Sequence, residues 1–149
     1  MKRNIRGFTL VEILIVVIIL GILAAIVIPQ FTNASNDARN NSVASTLQTL
    51  RSQIELYKIQ HADAPPVDAT NFLTKMMNAS NTTGTTVAGG TDTLHTLGPY
   101  IQAAPVNPAN GASTFGTSFA TNVGWSYTAT GSQYTVSAVN TTGNGYLTY

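Results

Sequence analysis

From Phe8 to Ile28 the chain reads FTLVEILIVVIILGILAAIVI, an apolar run of 21 residues broken by one charge, Glu12. About 20 apolar residues suffice for a helix to cross the hydrocarbon core of a bilayer, so residues 8–29 are predicted to span a membrane. Pro29 closes the run; it removes one backbone donor and crowds the carbonyl of Ala25, which predicts a kink or local melting. Gly21 and Ala25 stand four apart, a small-xxx-small spacing that lets helix backbones approach closely in an apolar medium. Beyond Pro29 the periodicity changes. Val43, Leu47, Leu50, Ile54 and Tyr57 follow steps of four, three, four and three, the stripe of an amphipathic helix. Gln48, Arg51, Ser52, Glu55 and Lys58 lie on its other faces. Residues 30–61 are therefore read as an amphipathic continuation of the first helix, with the polar stretch TNASNDARNNS between membrane and stripe.

Pro65-Pro66 ends the helical pattern and opens a head, residues 62–149. Ala69 to Ala79 reads as a short helix, capped by Asp68, with Phe72, Leu73, Met76 and Met77 facing inward. Ser80 to Thr93 reads as a Gly/Thr-rich loop, and Leu97 to Gly111 as an extended, Pro-punctuated segment. Val123–Ala129 and Gln133–Val139 alternate as strands and join through Thr130-Gly131-Ser132 as a hairpin; Tyr146–Tyr149 adds an edge strand. The expected fold class is α+β: a long N-terminal helix carrying a small antiparallel sheet.

Charge adds the chemistry. Residues 1–7, MKRNIRG, carry Lys2, Arg3 and Arg6 and no acid, which keeps this end cytoplasmic. A basic start before an apolar run looks like a secretory signal, but such signals have apolar cores of about 7–15 residues, and this one is longer. Glu12 is the anomaly. A carboxylate near the centre of a spanning helix costs roughly 2.5–3.5 kcal/mol, less towards its end, so Glu12 sits at the interface or has a partner.

The string GFTLVE, Gly7 to Glu12, following a basic leader and followed by Gly21 and Pro29, resembles the processing site and first helix of type IV pilins and of the pseudopilins of type II secretion. The resemblance implies that residues 1–7 are a leader, that a prepilin peptidase cuts between Gly7 and Phe8, and that Phe8 becomes N-methylated. It further implies that Glu12 sets the register of subunits in a filament by pairing with a neighbour's new terminus. On the residues alone, Glu12 can pair either with its own terminus, roughly 6 Å along the axis from Phe8, or with a neighbour's. The YIQAAPVNPANG and GWSYTATG stretches are similar, more weakly, to C-terminal segments of pseudopilin-like proteins.

The remaining composition removes other functions. Seven Lys and Arg stand against six Asp and Glu, and none of either kind occurs from Thr93 to Tyr149. Major pseudopilins often hold calcium in this region, and calcium needs several carboxylate oxygens, so no cofactor is expected. Losing the leader leaves 4 − 6 = −2 in side-chain charge, with no basic patch for nucleic acid. There is no cysteine, unlike the many pilins stapled by a disulfide. His61 and His95 lack metal-ligand spacing, and His61 is read as a solvated helix end near Asp63. Trp125 and Tyr127 are read as packing residues of a strand. No catalytic constellation is present.

The expected protein is a non-enzymatic filament subunit, stored as a prepilin in the bacterial inner membrane with its head in the periplasm. Its expected partners are copies of itself, the prepilin peptidase, the inner-membrane assembly platform and minor pseudopilins. A type II secretion pseudopilin is slightly favoured by the YKIQHADAPP end of the helix and the missing disulfide. A type IV pilin for adhesion, motility or DNA uptake competes, as does a membrane-tethered binding domain that never polymerises.

Overall fold

A computed structural model of the chain describes residues 7–67, 69–88 and 92–140. The chain forms two compact units, residues 1–38 and 39–149. Helix α1, Leu10–Gln60, begins in the first and ends in the second.

In the first unit every large apolar side chain from Phe8 to Phe31 is at least half exposed. Leaving such a surface in water costs on the order of tens of kcal/mol, so it requires lipid or another protein around it. Among the described residues α1 is the one helix long and apolar enough to cross a membrane; its most apolar 18-residue window has a mean hydropathy of 3.3. Pro29 lies inside the helix, which continues on both sides of it. One turn on, the Thr32 hydroxyl donates to the carbonyl of Ile28 (3.1 Å).

In the second unit the predicted stripe is the core. Val43, Leu47, Leu50, Ile54 and Tyr57 are all buried. Helix α2, Ala69–Met77, adds Ala69, Phe72 and Met76. Strands β1 (Ala79–Ser80) and β2 (Thr86–Val87) pair antiparallel. Strands β3 (Phe115–Gly116), β4 (Trp125–Thr130) and β5 (Gln133–Ala138) form a second sheet in that order. β4 and β5 pair antiparallel from Trp125↔Ala138 to Thr130↔Gln133. Their turn is Gly131-Ser132, and Gly131 takes φ 60°, the Gly-first two-residue loop whose twist suits a hairpin. β3 runs parallel to β4. Phe72 stacks on Phe115 (4.2 Å between ring centroids) and meets the Tyr127 ring at a tilt of 50° (4.6 Å), tying α2 to the sheet.

The α+β layout, the stripe and the hairpin agree with the sequence reading; several details differ. The short helix stops at Met77 because Ala79 leaves it to pair with Val87 in β1–β2. That pairing puts a small hairpin inside the stretch read as loop, and Leu73 and Met77 are half-buried. The sheet is mixed, not purely antiparallel, since two-residue β3 has too little alternation to be seen in sequence. Asp68 and the edge strand expected at Tyr146–Tyr149 lie outside the described residues. His61 is not solvated but 3 % exposed. The chain turns back directly after α1: Ala62 and Asp63 take φ 53° and 62°, and Asp63 N–H donates to Lys58 O (2.9 Å). This is the 6→1 bond of a Schellman-type cap, which folds His61 inward.

Candidate functional site

Gly7, Phe8 and Thr9 precede the helix, and Phe8 is 83 % exposed. The Gly7–Phe8 bond therefore lies in accessible backbone outside regular structure, where a protease can reach it. Thr9 is the N-cap of α1. Its N–H and hydroxyl both donate to Glu12 Oε2 (2.8 and 2.7 Å), while Glu12 N–H donates back to Thr9 Oγ1 (3.3 Å). This reciprocal pair is a capping box, and it satisfies two otherwise orphaned donors at the helix start. The sequence reading singled out Glu12 and missed Thr9, although the spacing Thr-x-x-Glu carries the signal. The structure thus gives the lone carboxylate a neutral, local partner one turn from the predicted cleavage point. Gly21 has open space where a Cβ would stand, so with Ala25 it leaves a shallow notch on the apolar helix. Ala25 and Pro29 make no further polar contact among those described.

In the second unit three polar clusters bear on chemistry. His61 Nδ1 meets Tyr57 O (2.7 Å), its Nε2 meets Ser80 Oγ (3.0 Å), and its ring stacks on Tyr57 at 3.8 Å. Both ring nitrogens are thus used in packing. Burial, with Tyr100 alongside, pushes the Tyr57 phenol from 10.0 to about 12. Burial, followed by a hydrogen bond with Glu55, pushes Tyr134 to about 12 as well. A phenol whose pKa is raised by folding stabilises the fold below its unfolded pKa and loses that contribution as pH rises through the folded value. These two phenols accordingly contribute a constant stability from neutral pH to about pH 10 and a loss from there to pH 12, read as a falling melting temperature of the full-length protein in detergent. A Tyr57→Phe/Tyr134→Phe double variant should show a shallower fall over that range; an unchanged profile would assign the loss to other groups.

A polar groove of about 360 Å³ lies between Arg51, Glu55 and Lys58 of α1 and residues of β5. Its charges already have partners. Lys58 pairs with Glu55 (3.5 Å) and with Asp63 (3.4 Å), and its Nζ lies 5.7 Å from the centre of the Tyr134 ring. Among the described residues no group of three His, Cys, Asp or Glu side chains could hold a metal ion.

The third cluster is a latch in PVNPANG. Asn107 is fully buried; its Nδ2 donates to Gly124 O (2.7 Å) and Val139 O (2.8 Å), and its Oδ1 accepts from Ala109 N–H (2.9 Å). Asn110 Nδ2 donates to Val123 O (2.8 Å), and Trp125 Nε1 to Pro105 O (2.7 Å). Gly124 sits so close that a Cβ there would lie 2.2 Å from Ala112 O. The carbonyl oxygens that converge here already accept from carboxamide N–H groups, and no carboxylate joins them. That donor set does not fit calcium.

An exposed apolar helix, a capped carboxylate and an accessible Gly-Phe bond thus stand side by side at the start of the first unit. The family model of the prokaryotic N-terminal methylation motif matches residues 2–28. The chain is homologous to the type II secretion system core protein G of Dickeya chrysanthemi, 37 % identical over 68 residues, 46 % of this chain and 44 % of that protein. The core protein G of Pseudomonas aeruginosa is 36 % identical over 64 residues, 43 % of this chain and 45 % of that one. The type IV narrow pilus major component PilA5 of Thermus thermophilus is 36 % identical over 63 residues, 42 % and 54 % of the two chains. The aligned region spans about half the length of these curated relatives. No solved structure gives a significant match.

Proposed function

We propose that this protein is the structural subunit of a type II secretion pseudopilus or a closely similar filament, and not an enzyme. The observation that carries the reading is the single carboxylate, Glu12, placed near the start of an otherwise uncharged run, residues 8–31, whose large apolar side chains are all at least half exposed, next to an accessible Gly7–Phe8 bond. Prepilin peptidase cleaves that bond on the cytoplasmic side and methylates Phe8, while the head stands in the periplasm. In the inner membrane Glu12 rests on Thr9. In the filament it exchanges this neutral partner for the ammonium of a neighbour's Phe8, a charge-assisted bond about twice as strong. The assembly platform and minor pseudopilins supply the machinery, and the head needs no metal. The match to PilA5 supports the second reading, a type IV pilus; the core protein G relatives and the absence of cysteine favour the first.

The intact mass of the protein from its native membrane tests the processing step. Loss of residues 1–7 and gain of one methyl group is the expected result. An uncleaved Met1 form as the sole species would leave a tethered domain as the better account.

A further inference from the structure

The second unit carries a second stripe, opposite its core. Ser45, Thr49, Ser52, Leu56 and Ile59 follow steps of four, three, four and three, each two residues after a core position. At about 100° per residue they project roughly 200° away from Val43, Leu47, Leu50, Ile54 and Tyr57. All five are exposed, Leu56 by 42 % and Ile59 by 79 %. A helix face turned only to water is ordinarily charged or strongly polar. This one is not: Arg51, Glu55 and Lys58 all fall on a single flank. Two of its three hydroxyls are also already spent. Thr49 Oγ1 donates to Ser45 O (3.0 Å) and Ser52 Oγ to Gln48 O (3.0 Å). Covering the face would orphan neither of these protons and would place no charged side chain of the stripe out of water, so the penalty of burial is small and falls on the Ser45 hydroxyl.

From this face we infer a contact with a second copy of the same chain, seated along Ser45–Ile59 in the filament. The inference rests on the filament reading. What lies against an uncharged stripe must itself be uncharged, or a lone charge is buried at high cost. The chain offers such a surface, since residues 93–140 of the head contain no Lys, Arg, Asp or Glu. Small side chains at Ser45, Thr49 and Ser52 permit close approach, and Leu56 and Ile59 supply the apolar anchor.

The test compares full-length chains in the native host: unsubstituted, Ser52→Lys, Thr82→Lys on an exposed loop, and Glu12→Ala. Ser52→Lys is expected to lower the yield of sheared filaments about tenfold or more, because it buries an unpaired charge, with processing and melting temperature unchanged. Thr82→Lys should leave the yield intact. In parallel, a photo-cross-linking residue at exposed Gln48, beside the stripe, should join two copies in filaments and fail to do so in the Glu12→Ala chain. Normal yield from Ser52→Lys while Glu12→Ala yields none would overturn the contact and leave the filament reading standing. A Gln48 adduct only to a different polypeptide would do the same. Absence of any filament from the unsubstituted chain would remove both.

Discussion

A Glu12→Ala chain is expected to reach the membrane, to lose residues 1–7 and to produce no measurable filament. The physical reason is an uncompensated charge. In an assembly packed through the apolar helices, each Phe8 ammonium would be buried without its carboxylate, and breaking a buried ion pair costs about 3–5 kcal/mol. Such a loss at every subunit contact is multiplied along the polymer. The capping box makes a sharper comparison available. Glutamine serves a capping box as well as glutamate does, so Glu12→Gln keeps the hydrogen bonds to Thr9 while removing the charge. If Glu12 acts through register, Gln fails nearly as completely as Ala. Were Gln to restore filaments, the cap and not the charge would be the function of this residue. Shearing, sedimentation and immunoblotting of the two variants beside the unsubstituted protein decide the matter. Normal filaments from Glu12→Ala would sink the charge-pairing role of Glu12 and leave the filament reading standing.

What could be read from the chain followed from how local each signal was. The apolar run, the core stripe and the β4–β5 hairpin are periodic over many residues, and each is where periodicity places it. The Glu12 anomaly was legible because a charge in such a run has few explanations. Its partner Thr9 is also written in the sequence, three residues upstream, in the Thr-x-x-Glu spacing of a capping box. Other features had no local signature. β1, β2 and β3 are two residues each, and pairing so short is decided by what the rest of the fold brings together. His61 is buried because the left-handed turn at Ala62 and Asp63 returns the chain over it, and neither residue announces that conformation as glycine would have. The latch residue Asn107 looked like one polar residue in a Pro-punctuated segment. Its role depends on carbonyls 17 and 32 positions away, which no pattern in the segment reveals.

That latch leads to the second large effect. Asn107→Ala would leave the carbonyls of Gly124 and Val139 buried without their donor and would free the Ala109 N–H. Each unsatisfied buried group costs about 1–3 kcal/mol, so a loss of about 3 kcal/mol is expected, and with it a fall of roughly 10–20 °C in melting temperature. Asn107→Asp should be worse although it is nearly isosteric. It points a carboxylate oxygen at two carbonyl oxygens and buries a charge with no cation to meet it. Asn110→Ala, at a half-buried position with one short donor contact, should cost less. The order Asp, Ala, Asn110→Ala, from most to least destabilising, is the signature of the donor role; a mere cavity would make Ala worse than Asp. Thermal melts of the full-length protein in detergent, followed by circular dichroism, measure it. The same melts with calcium or a chelator should leave the unsubstituted midpoint in place, because the Asn107 carboxamide already occupies the converging carbonyls. A midpoint raised by calcium would mean that oxygens elsewhere in the head bind the ion.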